Sequence, residues 1–341
     1  MATDPFPVNR LPYLARRNVL AVMNMPELLM ASTCSQNYKA FVKSLFIRPR
    51  TCSILIHESE LHFTSLYGDD GFSVFFDSTD FSVEGPCTPY FKYLVNTSRN
   101  PENQPLKHST FGAREWVQHF LEVLNIGKIT AILFNTGAED FDPEDLSKVF
   151  GNYQLLELLF GNEDYSDEYL RKINDLFTPT LSLLLNKKLS NEEDFHRKAT
   201  NSNVELTNIW YPIDLAGLSV INCPSMAIGK TNMTPIDFNS FIKRWINQTA
   251  ATKLKQMHIR FPERRFGEDY LPAVFDGVDN QFFEEERTYP ILLHTLKTLG
   301  EEHVFKDGYK IERNDGVNAS ILFCSLSPRF HDVFFVVHSL P

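Results

Sequence analysis

The stretch LPYLARRNVLAVMNMPELLMASTCSQNYKAFVKSL, residues 11–45, decides how the rest of the chain is read. Leu11-Pro12 opens a helix, because a proline near the first helical position gives up an N–H that has no partner there anyway. Leu14, Val19, Leu20 and Met23 supply its apolar stripe. Asn24 is a good N-cap, Met25-Pro26 starts the next helix, and Glu27 stands at capping-box spacing before Leu28, Leu29 and Ser32. Tyr38, Phe41, Val42 and Leu45 recur at i, i+3, i+4 and i+7, the inward face of a third helix. Helices of about ten residues do not persist on propensity alone, and a unit of roughly 40 residues buries too little surface to be secure. The trio must lean on the following domain, on a partner chain, or on both.

From Cys52 the period switches to strands: Ile54-Leu55-Ile56, Leu61-His62-Phe63 and Phe72 to Phe76, with turns at Glu58-Ser59-Glu60 and Gly68-Asp69-Asp70-Gly71. Residues 97–110, polar with two prolines, read as a connection. Beyond it helix and strand alternate. Trp116, Phe120, Val123 and Leu124 line a helix, Ile129 to Phe134 is a strand, and Asp142-Pro143-Glu144 starts a helix. Strand-like runs begin near Ile129, Leu155 and Leu181, a period of roughly 26 residues that falls in the leucine-rich-repeat range. Asn135, Asn162, Asn186 and Asn222 each follow such a run, as a repeat ladder would have it. Further strands are expected at Val204 to Ile209, Leu218 to Asn222 and Leu254 to Phe261. Helices are expected on Tyr169, Ile173 and Leu176, after the Ser190/Glu193 capping box, and on Phe238, Phe241, Ile242 and Trp245 after Thr234-Pro235. A hairpin closes on Asn314-Asp315-Gly316, and Val333 to Val337 is a last strand.

Composition bounds the function. With 341 residues, 43% hydrophobic and 22% charged, the chain is long enough for two folded domains. A net charge of −10 argues against a nucleic-acid binder that must displace phosphate counterions with Lys and Arg. Five cysteines without a C-x-x-C pair suggest neither a disulfide framework nor a zinc ribbon, and the expected setting is cytoplasmic or nuclear, with no membrane partner. The sequons at Asn96, Asn232, Asn247 and Asn318 are read as unmodified.

No motif assembles a reaction centre, so no enzyme, cofactor or metal is expected. Gly229-Lys230-Thr231 looks like the tail of a P-loop, but the Gly required five residues earlier is Pro224, which lacks an N–H donor. Glu139, Asp140, Asp142, Glu144 and Asp145 lack calcium-loop spacing and read as capping and surface groups. Glu284 to Glu286 and Glu301-Glu302-His303 read as solvated face. No G-x-S-x-G elbow is present.

The positions Leu11-Pro12, Val19, Leu20, Met23, Pro26, Leu28-Leu29, Ser32, Cys34 and Tyr38 resemble an F-box. The fuller string, from Phe6-Pro7 through Leu11-Pro12-Tyr13-Leu14 to Val42-Lys43-Ser44, is similar to nematode F-box proteins with a type 2 F-box-associated domain. Phe238 to Trp245, Lys253 to Met257, and Ile311 to Gly316 followed by Ala319 resemble that second domain. Tyr38 stands where many F-boxes have Trp, and Ser35-Gln36 replaces a basic pair. The resemblance implies a substrate-recognition adaptor of a Skp-cullin-F-box ubiquitin ligase that binds an unknown protein substrate. Leu11, Pro12, Leu14, Val19, Leu20, Met23, Pro26, Leu28, Leu29 and Ser32 would then be contacts for the Skp-family adaptor, or their supports, with apolar burial as the driving force. The alternatives are a repeat-type interaction protein outside any ligase, its helices covered by its own chain, and an enzyme with a scattered site.

The expected fold is accordingly α+β or α/β. A three-helix F-box spans 5–47, a short antiparallel sheet and polar connection span 48–110, and an F-box-associated α/β domain spans 111–341, repeat-like over 128–262.

Overall fold

The computed structural model describes residues 11–45, 47–67, 70–93, 104–161, 165–187, 204–262, 270–292, 299–327 and 330–338. They fall into two compact units, Met1–Leu155 and Leu156–Pro341.

The first unit begins with α1 (Tyr13–Ala21), α2 (Met25–Thr33) and α3 (Gln36–Lys43). It continues through β1 (Thr51–His57), β2 (Glu60–Tyr67), β3 (Asp70–Asp77), β4 (Tyr90–Tyr93), β5 (Gln104–Pro105), α4 (Ala113–Val123), β6 (Lys128–Phe134) and α5 (Pro143–Phe150). Along β1, Cys52, Ile54 and Ile56 are buried while their neighbours are half-buried, the period of two of a strand with one face on the core. The antiparallel strands expected after Cys52 are present, but not as a short separate sheet. β1 also pairs in parallel with β6, Ile54 opposite Ile132, and the order becomes β6-β1-β2-β3-β4-β5. Over this sheet lies α4, with Trp116 stacked 5.5 Å from Phe120, and Phe120 5.6 Å from Phe63. Between β1 and β2 the turn residues Glu58 and Ser59 have φ of 48° and 65°, left-handed backbone at two non-glycine residues. Gly137 packs on that turn, and a Cβ there would come within 3.0 Å of Glu58 Cα and Ser59 N.

The second unit takes up the alternation. Its elements are β7 (Gln154–Phe160), α6 (Asp167–Leu176), β8 (Ser182–Leu185), β9 (Leu206–Ile209), α7 (Leu215–Val220), β10 (Ser225–Ile228), α8 (Pro235–Ile246), β11 (Gln256–Pro262) and α9 (Tyr270–Val274). Then come β12 (Asn280–Phe283), β13 (Arg287–Leu292), β14 (Leu299–Phe305), β15 (Gly308–Glu312), β16 (Asn318–Ser327) and β17 (Phe330–Val337). The main sheet runs β12-β15-β16-β17-β11-β10-β9-β8-β7, parallel from β7 to β11 and antiparallel from β11 to β12. Four-residue parallel strands such as β10 are buried throughout, because crossover helices cover them. Thr234 and Asp237 cap α8 reciprocally, and Phe238, Phe241, Ile242 and Trp245 line its fully buried face. Trp245 meets Phe335 edge-on at 5.0 Å. β13 and β14 form a separate two-stranded ribbon whose Tyr289 and Phe305 pack on Leu322 and Phe334.

Other expectations change as well. Leu218 to Asn222 is not a strand: Asp214 caps a helix there, accepting from Gly217 N at 2.9 Å, so α7 takes the apolar run. Asn222 therefore follows a helix, and its side chain accepts from Lys253 N at 3.0 Å rather than joining a ladder. Among the described residues the fold contains a strand and helix alternation in a large mixed sheet, and nothing there identifies a leucine-rich repeat. Asn162, the Ser190/Glu193 capping box, Phe6-Pro7 and Gly68-Asp69 lie outside the described residues.

Candidate protein-docking surface

The N-terminal helices are built by local rules. Pro12 precedes α1 in extended backbone, which starts the helix at Tyr13. The capping box forms as the spacing predicts, Asn24 N donating to Glu27 Oε2 and Glu27 N to Asn24 Oδ1, both at 2.9 Å. Ser35 caps α3, accepting from Tyr38 N at 3.3 Å.

These helices are held by α4. Ser32 Oγ donates to Leu29 O at 2.6 Å and lies 2.6 Å from His119 Nε2. With its one proton committed to Leu29, the hydroxyl accepts from a neutral imidazole protonated at Nε2. Lys39 donates to Glu122 at 2.6 Å, and Asn125 Nδ2 donates to Lys43 O at 3.3 Å. Burial, with a smaller contribution from the Lys39 charge, pushes the His119 pKa down from 6.5 to about 4; Glu122 opposes the shift and His108 adds to it weakly.

That shift fixes a pH dependence. Between about 4 and 6.5 the unfolded chain takes up a proton that the folded imidazole refuses, so this contribution is complete above 6.5 and is lost as pH falls. Chemical denaturation at pH 7 and pH 5 should show a loss of roughly 1–2 kcal/mol attributable to this site. In His119→Gln that part of the difference should disappear, and an unchanged difference would refute the assignment.

The ten positions singled out in the sequence divide by exposure. Leu20, Pro26, Leu28, Leu29 and Ser32 are buried within the first unit. Leu11, Val19 and Met23 are half-buried, and Pro12 and Leu14 are exposed, Leu14 to 69%. Two further apolar residues beside them are exposed, Tyr13 at 54% and Val22 at 84%. Tyr13 rests its ring edge-on against Phe41 at 5.2 Å, and the Arg16 guanidinium lies 5.2 Å over the same ring. One side of the trio is thus sealed, while α1 leaves Tyr13 and Leu14 exposed together with the polar Arg17 and Asn18. Periodicity marks apolar positions, but which neighbour covers them depends on α4, 87 residues from Ser32 at the His119 contact.

The groups weighed for chemistry have structural work. Thr231 Oγ1 donates to Ile213 O at 2.9 Å and accepts from Met233 N, and Gly229 lies where a Cβ would strike the Trp210 ring. Asp142 caps α5, Asp145 pairs with Lys148 at 2.7 Å, and Asp140 accepts from Ser59 Oγ. Burial pushes the thiols of Cys52 and Cys87 up to about 12 and that of Cys223 up to about 11, far from a thiolate at neutral pH. His258 and Asp332 make a 2.7 Å pair, but at 2% and 0% exposure no substrate reaches them. Among the described residues no cluster of His, Cys, Asp or Glu is placed to hold a metal, and no helix is long and apolar enough to cross a membrane.

Comparison with known proteins gives two likenesses. Residues 195–259, which include the Phe238 to Trp245 and Lys253 to Met257 segments, match the F-box associated family. The F-box associated domain-containing protein sdz-33 of Caenorhabditis elegans is 20% identical over 337 residues, covering 95% of each chain. No solved structure matches. Residues 195–259 are thus similar to the F-box associated family, and nearly the whole chain is similar to a nematode protein described by that domain.

Proposed function

We propose that the chain is the substrate-recognition adaptor of a Skp-cullin-F-box ubiquitin ligase. The observation that carries this reading is the exposure of Tyr13 and Leu14 on the first turn of α1 and of Val22 just past its end, with half-buried Leu11, Val19 and Met23 near them and the exposed polar Arg17 and Asn18 between them. Monomeric surfaces seldom cluster apolar groups without a partner to cover them. In this reading Leu11, Pro12, Leu14, Val19 and Met23, with the neighbouring Tyr13 and Val22, touch the Skp-family adaptor. Leu20, Pro26, Leu28, Leu29 and Ser32 hold the helices in position from behind, and the functional division is 5–47 for adaptor docking and 111–341 for substrate.

The adaptor lowers no chemical barrier. It raises the local concentration of a substrate lysine at the charged conjugating enzyme, a tethering effect. The full-length chain should co-purify with a Skp-family adaptor, and Leu14→Asp with Val22→Asp should abolish this while leaving the unfolding midpoint unchanged. Both substitutions put a charge into an apolar contact that must desolvate.

A second reading has its own observation. Five of the ten expected contacts are buried inside the first unit, which favours an interaction protein whose helices serve as a structural cap outside any ligase. Failure of the full-length chain to capture the adaptor under conditions where an established F-box protein does so would decide for it.

A further inference from the structure

We propose that β12 is an open sheet edge that takes up a basic, extended protein segment as an added strand. The inference deepens the adaptor reading by naming the class of substrate, and it rests on the second unit being the part that selects it.

β12 ends the main sheet of the second unit, pairing with β15 through Asn280 opposite Ile311 and Phe283 opposite Gly308. Among the described residues, no backbone group of 280–283 makes a hydrogen bond outside that pairing. Proteins ordinarily blunt such an edge with lysine, proline or a bulge. Asn280-Gln281-Phe282-Phe283 contains none of these. Asn280, Gln281 and Phe282 are instead exposed, Phe282 to 49%.

The edge has a built apolar side. The Phe282 ring lies 5.2 Å from Tyr309, and Tyr309 lies 4.5 Å from Phe275, so an aromatic shelf runs inward from the edge. Successive side chains of an added strand point to opposite faces, and every second one would lie along this shelf.

Charge selects the occupant. From Asp276 to Arg287 there are five carboxylates, at Asp276, Asp279, Glu284, Glu285 and Glu286, against Arg287; Lys243 pairs with Asp276 at 3.9 Å and Lys310 stands opposite Gln281 on β15, so the excess of negative charge rests on Asp279 and Glu284 to Glu286. All five residues are exposed. Arg287 is already engaged, its guanidinium 4.1 Å over the Phe283 ring and its Nη2 donating to Glu285 at 3.4 Å. A second copy of this chain would set the same carboxylates against one another. A segment bearing Lys or Arg between apolar residues is complementary to both the field and the shelf.

The test uses the full-length chain and a labelled octapeptide alternating Lys and Val, with the Glu/Val counterpart as control. The basic peptide should bind, weaken as salt is raised, and slow hydrogen exchange at the 280–283 amides. Asp279→Lys with Glu284→Lys, both at exposed positions, should bind about tenfold more weakly, and Phe282→Ala should also lose affinity. Equal binding of the acidic peptide, unchanged binding by the charge-reversed variant, or unchanged exchange at 280–283 would overturn the proposal. So would self-association that Gln281→Pro abolishes, which would make a second copy the occupant. Adaptor capture separates the two readings. Lost peptide binding with capture intact refutes only this proposal, whereas bound peptide without capture refutes only the ligase reading.

Discussion

Leu29→Ala is expected to lower the stability of the chain by about 2–5 kcal/mol, whereas Leu14→Ala should stay within about 0.5 kcal/mol of the parent. The two leucines belong to the same expected contact set, yet Leu29 is 0% exposed on α2 and Leu14 is 69% exposed on α1. Truncating Leu29 removes apolar surface already withdrawn from water and leaves a cavity that α2 cannot close without moving Leu28, itself 5% exposed. Truncating Leu14 removes atoms that water already reaches. Against a total stability of roughly 5–15 kcal/mol, the first change is large enough to displace a urea midpoint visibly with the slope preserved. Adaptor capture should weaken in both variants for different reasons, lost contact for Leu14 and lost positioning for Leu29. A Leu29→Ala protein with an unshifted midpoint would show that α2 is not packed as described.

Legibility in the sequence followed the range of the interaction. Caps are local, so Asn24 with Glu27, Asp142 with Pro143, and Thr234 with Asp237 marked helix starts that the structure keeps. The Asp-Gly hairpin was equally plain, with Gly316 at φ 87°. A short apolar run is ambiguous without its flanks, and Leu218 to Asn222 went wrong because Asp214, four residues earlier, caps a helix. Ser225–Ile228 has no period to detect, since all four residues are buried. The acidic run before Arg287 masked the short β12 and the ribbon beyond it. At the candidate site, residues 11–45 announced three amphipathic helices, but their division into a sealed and an open side was set by His119, Glu122 and Asn125 of a segment far along the chain.

Asp332→Ala should cost about 3–5 kcal/mol, the largest single effect expected in the second unit. Asp332 is 0% exposed on β17, and its Oδ1 lies 2.7 Å from His258 Nε2 and accepts from Arg260 Nε at 3.2 Å. Both partners stand on β11, Arg260 directly opposite Asp332, while His258 opposes Phe334 and stacks on its ring at 4.4 Å with 2° between the planes. Removing the carboxylate therefore takes its 2.7 Å partner from an imidazole that is 2% exposed, whereas the guanidinium, 28% exposed, can turn toward water. Asp332→Asn keeps an acceptor in place and should cost less, roughly 1–3 kcal/mol. Replacing both buried partners, His258→Phe with Asp332→Leu, should recover much of the loss, because neither the imidazole nor the carboxylate is then left buried without the other. Burial and the Asp332 charge also hold the Cys324 thiol up at about 12, so Asp332→Asn should speed its alkylation by a neutral reagent at fixed pH. If Asp332→Ala unfolded at the parental midpoint and Cys324 reacted no faster in Asp332→Asn, the pair would be idle, and the strand register that brings β17 against β11 would need another cause.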